Sequence, residues 1–142
     1  MNLFEISRSA LDVEWQRVTV VAQNLANAGT TRTAMGEVYR PMRLVSGPRI
    51  GQTSLPAHGA GFIQELDGVE VYGVEATTDA PRKVYEPGHP HADAQGYVSY
   101  PAMDHAAEMA LMVKSSRIYE ANVAMLTTAR AMYMRALNIG AR

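Results

Sequence analysis

The sequence predicts an α+β fold in which long N- and C-terminal α-helices pair in a coiled-coil-like core and a small antiparallel β-rich middle domain lies between them. Three observations lead there. Residues 2–27 contain neither Gly nor Pro and carry apolar side chains at helical spacing, and residues 104–139 repeat apolar side chains every seven positions. Between them, Gly and Pro cut the chain into short stretches rich in β-branched and aromatic residues. The expected units are a helix in 1–29, a β-rich unit in 30–101 with a loop at 46–61, and a helix in 102–142.

In the first unit, Phe4, Leu11, Trp15, Val18, Ala22 and Leu25 follow one another by sevens, fours and threes, with Glu5, Asp12, Gln16, Thr19 and Gln23 on the opposite side. This reads as one helix ended by Asn27-Ala28-Gly29, with Gly29 expected in the left-handed position beyond the last turn. In the last unit, Leu111, Ile118, Met125, Met132 and Ile139 recur every seven residues, and Ser115, Asn122, Ala129 and Ala136 sit four after each of the first four. That is a seam of alternating large and small residues, and a parallel column of Met112, Tyr119, Leu126 and Tyr133 widens it enough to touch two neighbouring helices. Asp104 is placed to cap this helix and Gly140 to close it.

The middle unit offers strand patterns at Val38–Val45, Phe62–Leu66, Val69–Thr77, Lys83–Tyr85 and Tyr97–Tyr100. Asp67-Gly68 carries a two-residue hairpin signal, and Pro87-Gly88 and Gln95-Gly96 mark further turns. Ser46–Gly61, with four Gly and two Pro, reads as a surface loop.

Composition narrows the function. Thirteen Lys+Arg against 14 Asp+Glu give a net charge of −1, which supplies no electrostatic footprint for a nucleic-acid backbone. Apolar runs are too short to span a bilayer. Without cysteine there is no disulfide, thiolate nucleophile or Cys-based metal site. The first residues show no basic leader with an apolar core, so export would use a route other than a cleaved secretory signal. Leu, Ile, Val and Phe make up only about 20% of the chain, and Ala and Met supply much of the rest, a composition suited to close helix contacts and adaptable interfaces.

No constellation rises to an active site. His89, His91, Asp93, Asp104 and His105 form the densest polar cluster, but no third ligand has diagnostic metal spacing, and Pro87, Gly88, Pro90 and Gly96 point to a structural turn whose His and Asp bond backbone groups. Alternation places Glu70 and Glu75 on different strand faces, unsuited to paired acid/base work. The glycines match neither a dinucleotide fingerprint nor a P-loop. The chain is expected to be no enzyme, with no cofactor, metal or small-molecule substrate.

Asn24, Asn27 and Asn122 stand out, because Asn is a mediocre helix former. Two readings are open: polar seam residues that fix register and partner choice, or a cap at Asn27 and backbone-bonded Asn at the others. Asn24-Leu25-Ala26-Asn27 followed by Thr30 is similar to the N-terminal signature of the flagellar rod, hook and hook-associated axial proteins. Tyr39-Arg40, the run Tyr85-Glu86-Pro87-Gly88-His89-Pro90-His91-Ala92-Asp93-Ala94-Gln95-Gly96-Tyr97-Val98, Glu108-Met109, and Arg117-Ile118-Tyr119-Glu120-Ala121-Asn122-Val123 resemble proximal-rod members of that family in the same order. Ala102-Met103 after Pro101 departs from the family's usual Asn-Val.

The resemblance implies a structural subunit of the proximal rod, the shaft that carries torque from motor to hook. It implies export through the flagellar type III apparatus and assembly with further copies of the chain and with FliE, FlgB, FlgF and FlgG. Phe4, Leu11, Trp15, Val18, Leu25, Asn24, Asn27, Leu111, Met112, Ile118, Tyr119, Asn122, Met125, Leu126, Met132, Tyr133 and Ile139 are then expected at subunit interfaces. Pro87, Gly88, His89, Pro90, Asp93 and Gly96 are expected to form a turn that sets the β unit against the C-terminal helix. Arg117 and Glu120 are candidates for ion pairs. The terminal helices, unable to bury their stripes alone, are expected to order on assembly. The competing reading is a soluble helical adaptor or chaperone whose terminal helices pair within one molecule.

Overall fold

Two helices of unequal length run antiparallel; one small two-stranded sheet packs along the shorter helix and a second two-stranded sheet stands apart from it. The computed structural model describes residues 3–50 and 66–140. In order the elements are α1 (Leu3–Ala26), β1 (Met42–Ile50), β2 (Leu66–Ala76), β3 (Arg82–Tyr85), β4 (Tyr97–Tyr100) and α2 (His105–Gly140). At 1.5 Å per residue α1 is about 36 Å long and α2 about 54 Å. Three cross-helix contacts fix their alignment. The Phe4 and Tyr133 rings meet edge to face at 6.5 Å, Trp15 and Tyr119 lie 6.4 Å apart, and Asn24 Nδ2 donates to Glu108 Oε2 at 3.2 Å.

Each helix ends for a local reason. Asp104 Oδ1 accepts the Ala106 and Ala107 N–H groups at 2.9 and 3.3 Å, so two donors left over at the start of α2 are satisfied by the expected cap. At the end of α1 the expected left-handed Gly29 is not found; positive φ belongs to Gly36, Gly68 and Gly96. Asn27 does the work instead. Its Nδ2 donates to Gln23 O at 2.9 Å, its Oδ1 accepts from Thr30 Oγ1 at 3.2 Å, and Thr30 N–H closes a tight turn onto Asn27 O at 3.0 Å.

The buried side of α1 differs from the expected stripe because this helix faces two partners, α2 and the β1–β2 sheet. Val13, Val21 and Asn24 are buried, Leu11, Val18 and Leu25 are half-buried, and Trp15 lies outermost at 64% exposure. A single-face reading centred on Phe4, Trp15 and Ala22 is therefore rotated away from the true centre. On α2 the residues turned to α1 are Met112, Ser115, Tyr119, Asn122, Leu126 and Ala129, all buried or half-buried. Ser115, fully buried, and Ala129 are the small members of the predicted seam, and their size lets the two backbones approach.

β1 and β2 are antiparallel, with Met42 opposite Ala76 and Leu44 opposite Val74. The expected first strand, Val38–Val45, begins late because Met42 is captured by Asn24, as described below. It also runs further than expected: residues 46–50 of the predicted loop continue β1, while 51–61 lie outside the described residues. The predicted hairpin turn at Asp67-Gly68 is not there either, since both residues are inside β2; of the strand expected at Phe62–Leu66, only Leu66 is described. Gly68 has φ +97° for a different reason. Ser9 Oγ donates to Ile6 O at 2.8 Å and accepts Val69 N–H at 3.1 Å, so β2 passes directly against α1. A Cβ at position 68 would stand 2.5 Å from Ser9 Oγ, and only glycine fits both the space and the backbone angle.

β3 and β4 pair antiparallel from Arg82–Tyr100 to Tyr85–Tyr97. Among the described residues, neither strand's backbone runs alongside a helix or the first sheet, while Val98 of β4 is fully buried. Gly96, at φ +83°, turns the chain as its expected role requires, and its carbonyl accepts Glu86 N–H at 2.9 Å.

Gly68→Ala should lower unfolding free energy by about 1–3 kcal/mol, the cost of a non-glycine residue in the left-handed region together with displacement of Ser9. Urea unfolding followed by circular dichroism would read this, and an unchanged midpoint would show that β2 can move away from α1 freely.

Candidate assembly surface

Asn24 is 1% exposed and all four of its amide valences are used. Its Nδ2 donates to Met42 O at 2.8 Å and to Glu108 Oε2 at 3.2 Å, while its Oδ1 accepts Met42 N–H at 2.8 Å and Tyr39 O–H at 3.0 Å. The side-chain amide therefore pairs with the Met42 backbone as a neighbouring strand would. Because Met42 presents both a donor and an acceptor, that pairing also fixes which way the amide points. One residue on α1 thus holds the first residue of β1, the first turn of α2 and the connection through Tyr39. Burial, with the nearby Glu108 carboxylate second, raises the Tyr39 pKa above its ordinary value of 10.0, which keeps the hydroxyl a donor.

Of the two readings open for the asparagines, backbone bonding fits Asn24 and a cap fits Asn27. Asn24 additionally joins both helices. Asn122 lies half-buried beside Glu14, Ile118 and Val13 where α1, α2 and the first sheet converge. Arg17 Nε sits 3.3 Å from Glu14 Oε2, and its Nη2 donates to Ser46 Oγ at 2.8 Å, tying the sheet to the helix pair at this level.

The expected turn is anchored differently from the expectation. His91 N–H donates to His89 Nδ1 at 3.0 Å, and His91 Nδ1 pairs with Thr31 Oγ1 at 2.8 Å, so the link runs to the segment following α1 rather than to α2. The Nδ1 atoms of both His89 and His91 are thereby engaged in holding the turn. Asp93 Oδ1 accepts Gln95 N–H and Tyr97 N–H, each at 2.9 Å. The Tyr97 bond is the leading cause of a lowered Asp93 pKa.

Sequence reading missed Tyr39 as a partner of Asn24 and the buried Val13, Val21 and Ser9. Its signal for Asn24 was the residue type at that position; nothing in spacing connects positions 24, 39, 42 and 108. Of the seam residues, Met112, Tyr119, Asn122 and Leu126 are turned inward, Leu111 is half-buried, and the flank Ile118, Met125, Met132 and Ile139 is open, rising from 36% exposure at Ile118 to 77% at Ile139. The stripe is thus divided, with one column covered inside the chain and the other uncovered. Tyr133 is 58% exposed although its ring touches Phe4. Arg117 and Glu120 are exposed.

Residues 94–139 match the family model described as flagellar basal body rod FlgEFG protein C-terminal. The protein named flagellar basal-body rod protein FlgC of Escherichia coli O6:H1 is 38% identical across 99% of this chain and 97% of its own length. The chain belongs to the FlgC family of flagellar basal-body rod proteins. The FlgC protein of Bacillus subtilis is 37% identical over 95% of this chain and 94% of its own length, and that of Borreliella burgdorferi 32% over 98% of both. FlgC proteins are structural rod components, not enzymes, which gives the uncovered column on α2 a context. Pairing of the terminal helices within one chain fits a rod subunit and the adaptor alike; membership of the FlgC family favours the rod. Among the described residues no helix is long and apolar enough to cross a membrane.

Asn24→Ala would leave Met42 N–H and C=O, Tyr39 O–H and Glu108 without their shared partner, and should cost about 3 kcal/mol in urea unfolding. Asn24→Asp, which sets a second carboxylate against Glu108, should be worse at pH 7 and recover as the pH falls. Asp93 makes a separate prediction. Its folded pKa lies below the usual 3.8, so its contribution is present above that value and lost as the pH drops through the folded pKa. Amide shifts of Gln95 and Tyr97 should then report an acid transition below pH ~4 that Asp93→Ala abolishes; an identical transition in that variant would assign the effect elsewhere.

Proposed function

We propose that this chain is a subunit of the proximal rod, exported through the flagellar type III apparatus. It assembles with further copies of itself and with FliE, FlgB, FlgF and FlgG into the shaft that carries torque across the periplasm. The carrying observation is the uncovered column Ile118, Met125, Met132 and Ile139, which runs along α2 next to the seam occupied by α1. A subunit that ended its association at the α1–α2 pair would leave these side chains in water. Burying each against a neighbour contributes roughly 1.5–3 kcal/mol before the costs of association.

The helix pair supplies stiffness along the shaft and the column supplies the contact between subunits. In this reading the first sheet, tied to α1 by Asn24, Ser9 and Arg17, and the second hairpin, tied by Thr31 and His91, lie outside the packed helices. In this reading intramolecular pairing covers the inner stripe, and what assembly adds is burial of the outer one.

Deleting the reading frame from its host and imaging cell envelopes tests the assignment: rods and hooks should be missing and should return with a plasmid copy. Met125→Asp should abolish that return while the purified variant keeps the wild-type unfolding free energy within about 0.5 kcal/mol, as befits an exposed position. Normal rods built from Met125→Asp would remove the outer column from the assembly surface.

A further inference from the structure

The chain has no cysteine, so methionine is the only sulfur it offers to an oxidant. Its methionines are not equally open. Among the described residues Met35, Met109, Met125, Met132 and Met134 are exposed, whereas Met42, Met103 and Met112 are half-buried. Met125 and Met132 stand apart from the other exposed ones because they occupy the uncovered column of α2, at 62% and 60% exposure, between Ile118 and Ile139, whose hydrocarbon side chains are inert to peroxide. A thioether is apolar enough to be buried against a neighbour. A sulfoxide is not, because its oxygen is a strong acceptor that must find a donor before it leaves water. One turn to either side of Met125 on α2 lie Ala121, Asn122, Thr128 and Ala129; Asn122 is turned inward and the Thr128 hydroxyl is given to Ala124 O at 3.0 Å, so a sulfoxide at 125 meets no charged donor from its own helix.

We propose that Met125 and Met132 form a reversible oxidation site that decides whether a subunit is incorporated: with both thioethers reduced the column is buried on assembly, and with sulfoxides it is refused. The oxidant is a peroxide. A lone pair of the thioether sulfur takes an oxygen from hydrogen peroxide, the O–O bond breaks, the S–O bond forms and water leaves, so the sulfur is oxidised by two electrons and the peroxide reduced by two. In the reverse step a methionine sulfoxide reductase, one for each sulfur epimer, returns the thioether while a dithiol becomes a disulfide and the oxygen leaves as water. The site is open only while the column is. In the single chain both side chains face solvent, and a neighbour that covers them removes the path of the peroxide. The fold does not depend on the modification, since the methionine in the seam between the helices is Met112, half-buried, and not either of these two. The inference rests on the rod reading and adds a chemical control to the surface named there.

Purified chain treated with hydrogen peroxide and read by peptide mass spectrometry should gain oxygen at Met125 and Met132 at least tenfold faster than at Met112, with circular dichroism unchanged, and should lose it again with the two reductases and dithiothreitol. In basal bodies isolated from the deletion host carrying the plasmid copy, the same two sulfurs should react at least tenfold more slowly than in isotope-labelled free chain added to the same reaction. Met125→Gln with Met132→Gln sets a carboxamide oxygen where the sulfoxide oxygen would stand and should lower the number of rods at least tenfold, with circular dichroism of the purified variant unchanged. Met125→Leu with Met132→Leu, apolar and inert to peroxide, should restore rods. Oxidation at Met125 and Met132 no faster than at Met112, equal rates in rods and in free chain, a Gln pair that builds rods as well as the Leu pair, or a Leu pair that builds none would each overturn the inference and leave the rod reading standing. Failure of the unaltered copy to restore rods would overturn the rod reading itself.

Discussion

A single buried carboxamide governs how the parts of this molecule sit together. The α1–α2 pair, the first sheet and the connection between α1 and β1 meet at Asn24, and among the described residues no other side chain hydrogen-bonds to all three. A carboxamide is the smallest group that can satisfy a backbone N–H and C=O at once while still reaching a carboxylate and a hydroxyl. Ala would leave four groups unsatisfied; Asp would lose the donors and add charge beside Glu108. Apolar contacts along the rest of the helices are less directional, so they fix how tightly the elements pack but not where along each other they stop.

That division between a polar joint and apolar stripes explains the unusual composition. The inner column of α2 faces α1 with the buried small side chains of Ser115 and Ala129 and with the half-buried Tyr119 and Leu126 between them. The outer column is rich in Met, whose unbranched chain adapts to imperfectly matched surfaces. A chain with about a fifth of its residues in Leu, Ile, Val and Phe leaves a small core, here Val13, Val21, Leu44, Val98 and Ala129 among the described residues, with much apolar surface turned outward. In the proposed assembly that surface is the means of association, and burial missing from the single chain is completed between chains.

The second hairpin follows a different logic. Val98 is fully buried, and the turn between the strands is held by Asp93 accepting backbone donors and by His91 bonding Thr31. Attachment through a few directional bonds, rather than through a broad apolar face, allows this unit to be carried on the helix pair without diverting the helices' apolar stripes from each other or from neighbours.

The sequence by itself determined the element types, because each follows from local rules. Uninterrupted helical spacing makes α1 and α2, Asp104 caps α2, and Gln95-Gly96 turns the second hairpin. It also carried the family, through Asn24–Asn27 and the run from Tyr85 to Val98. It did not determine which side of α1 is innermost, because a helix with two partners buries an arc that spacing alone does not centre. Nor did it show that Gly68 clears Ser9 instead of turning a hairpin, since the constraint comes from an element sixty residues away. The tertiary structure decided the meeting of Asn24 with Tyr39, Met42 and Glu108, which no periodicity links. It also decided the split of the α2 stripe into a covered and an uncovered column: one heptad pattern serves both, and only the position of α1 tells them apart.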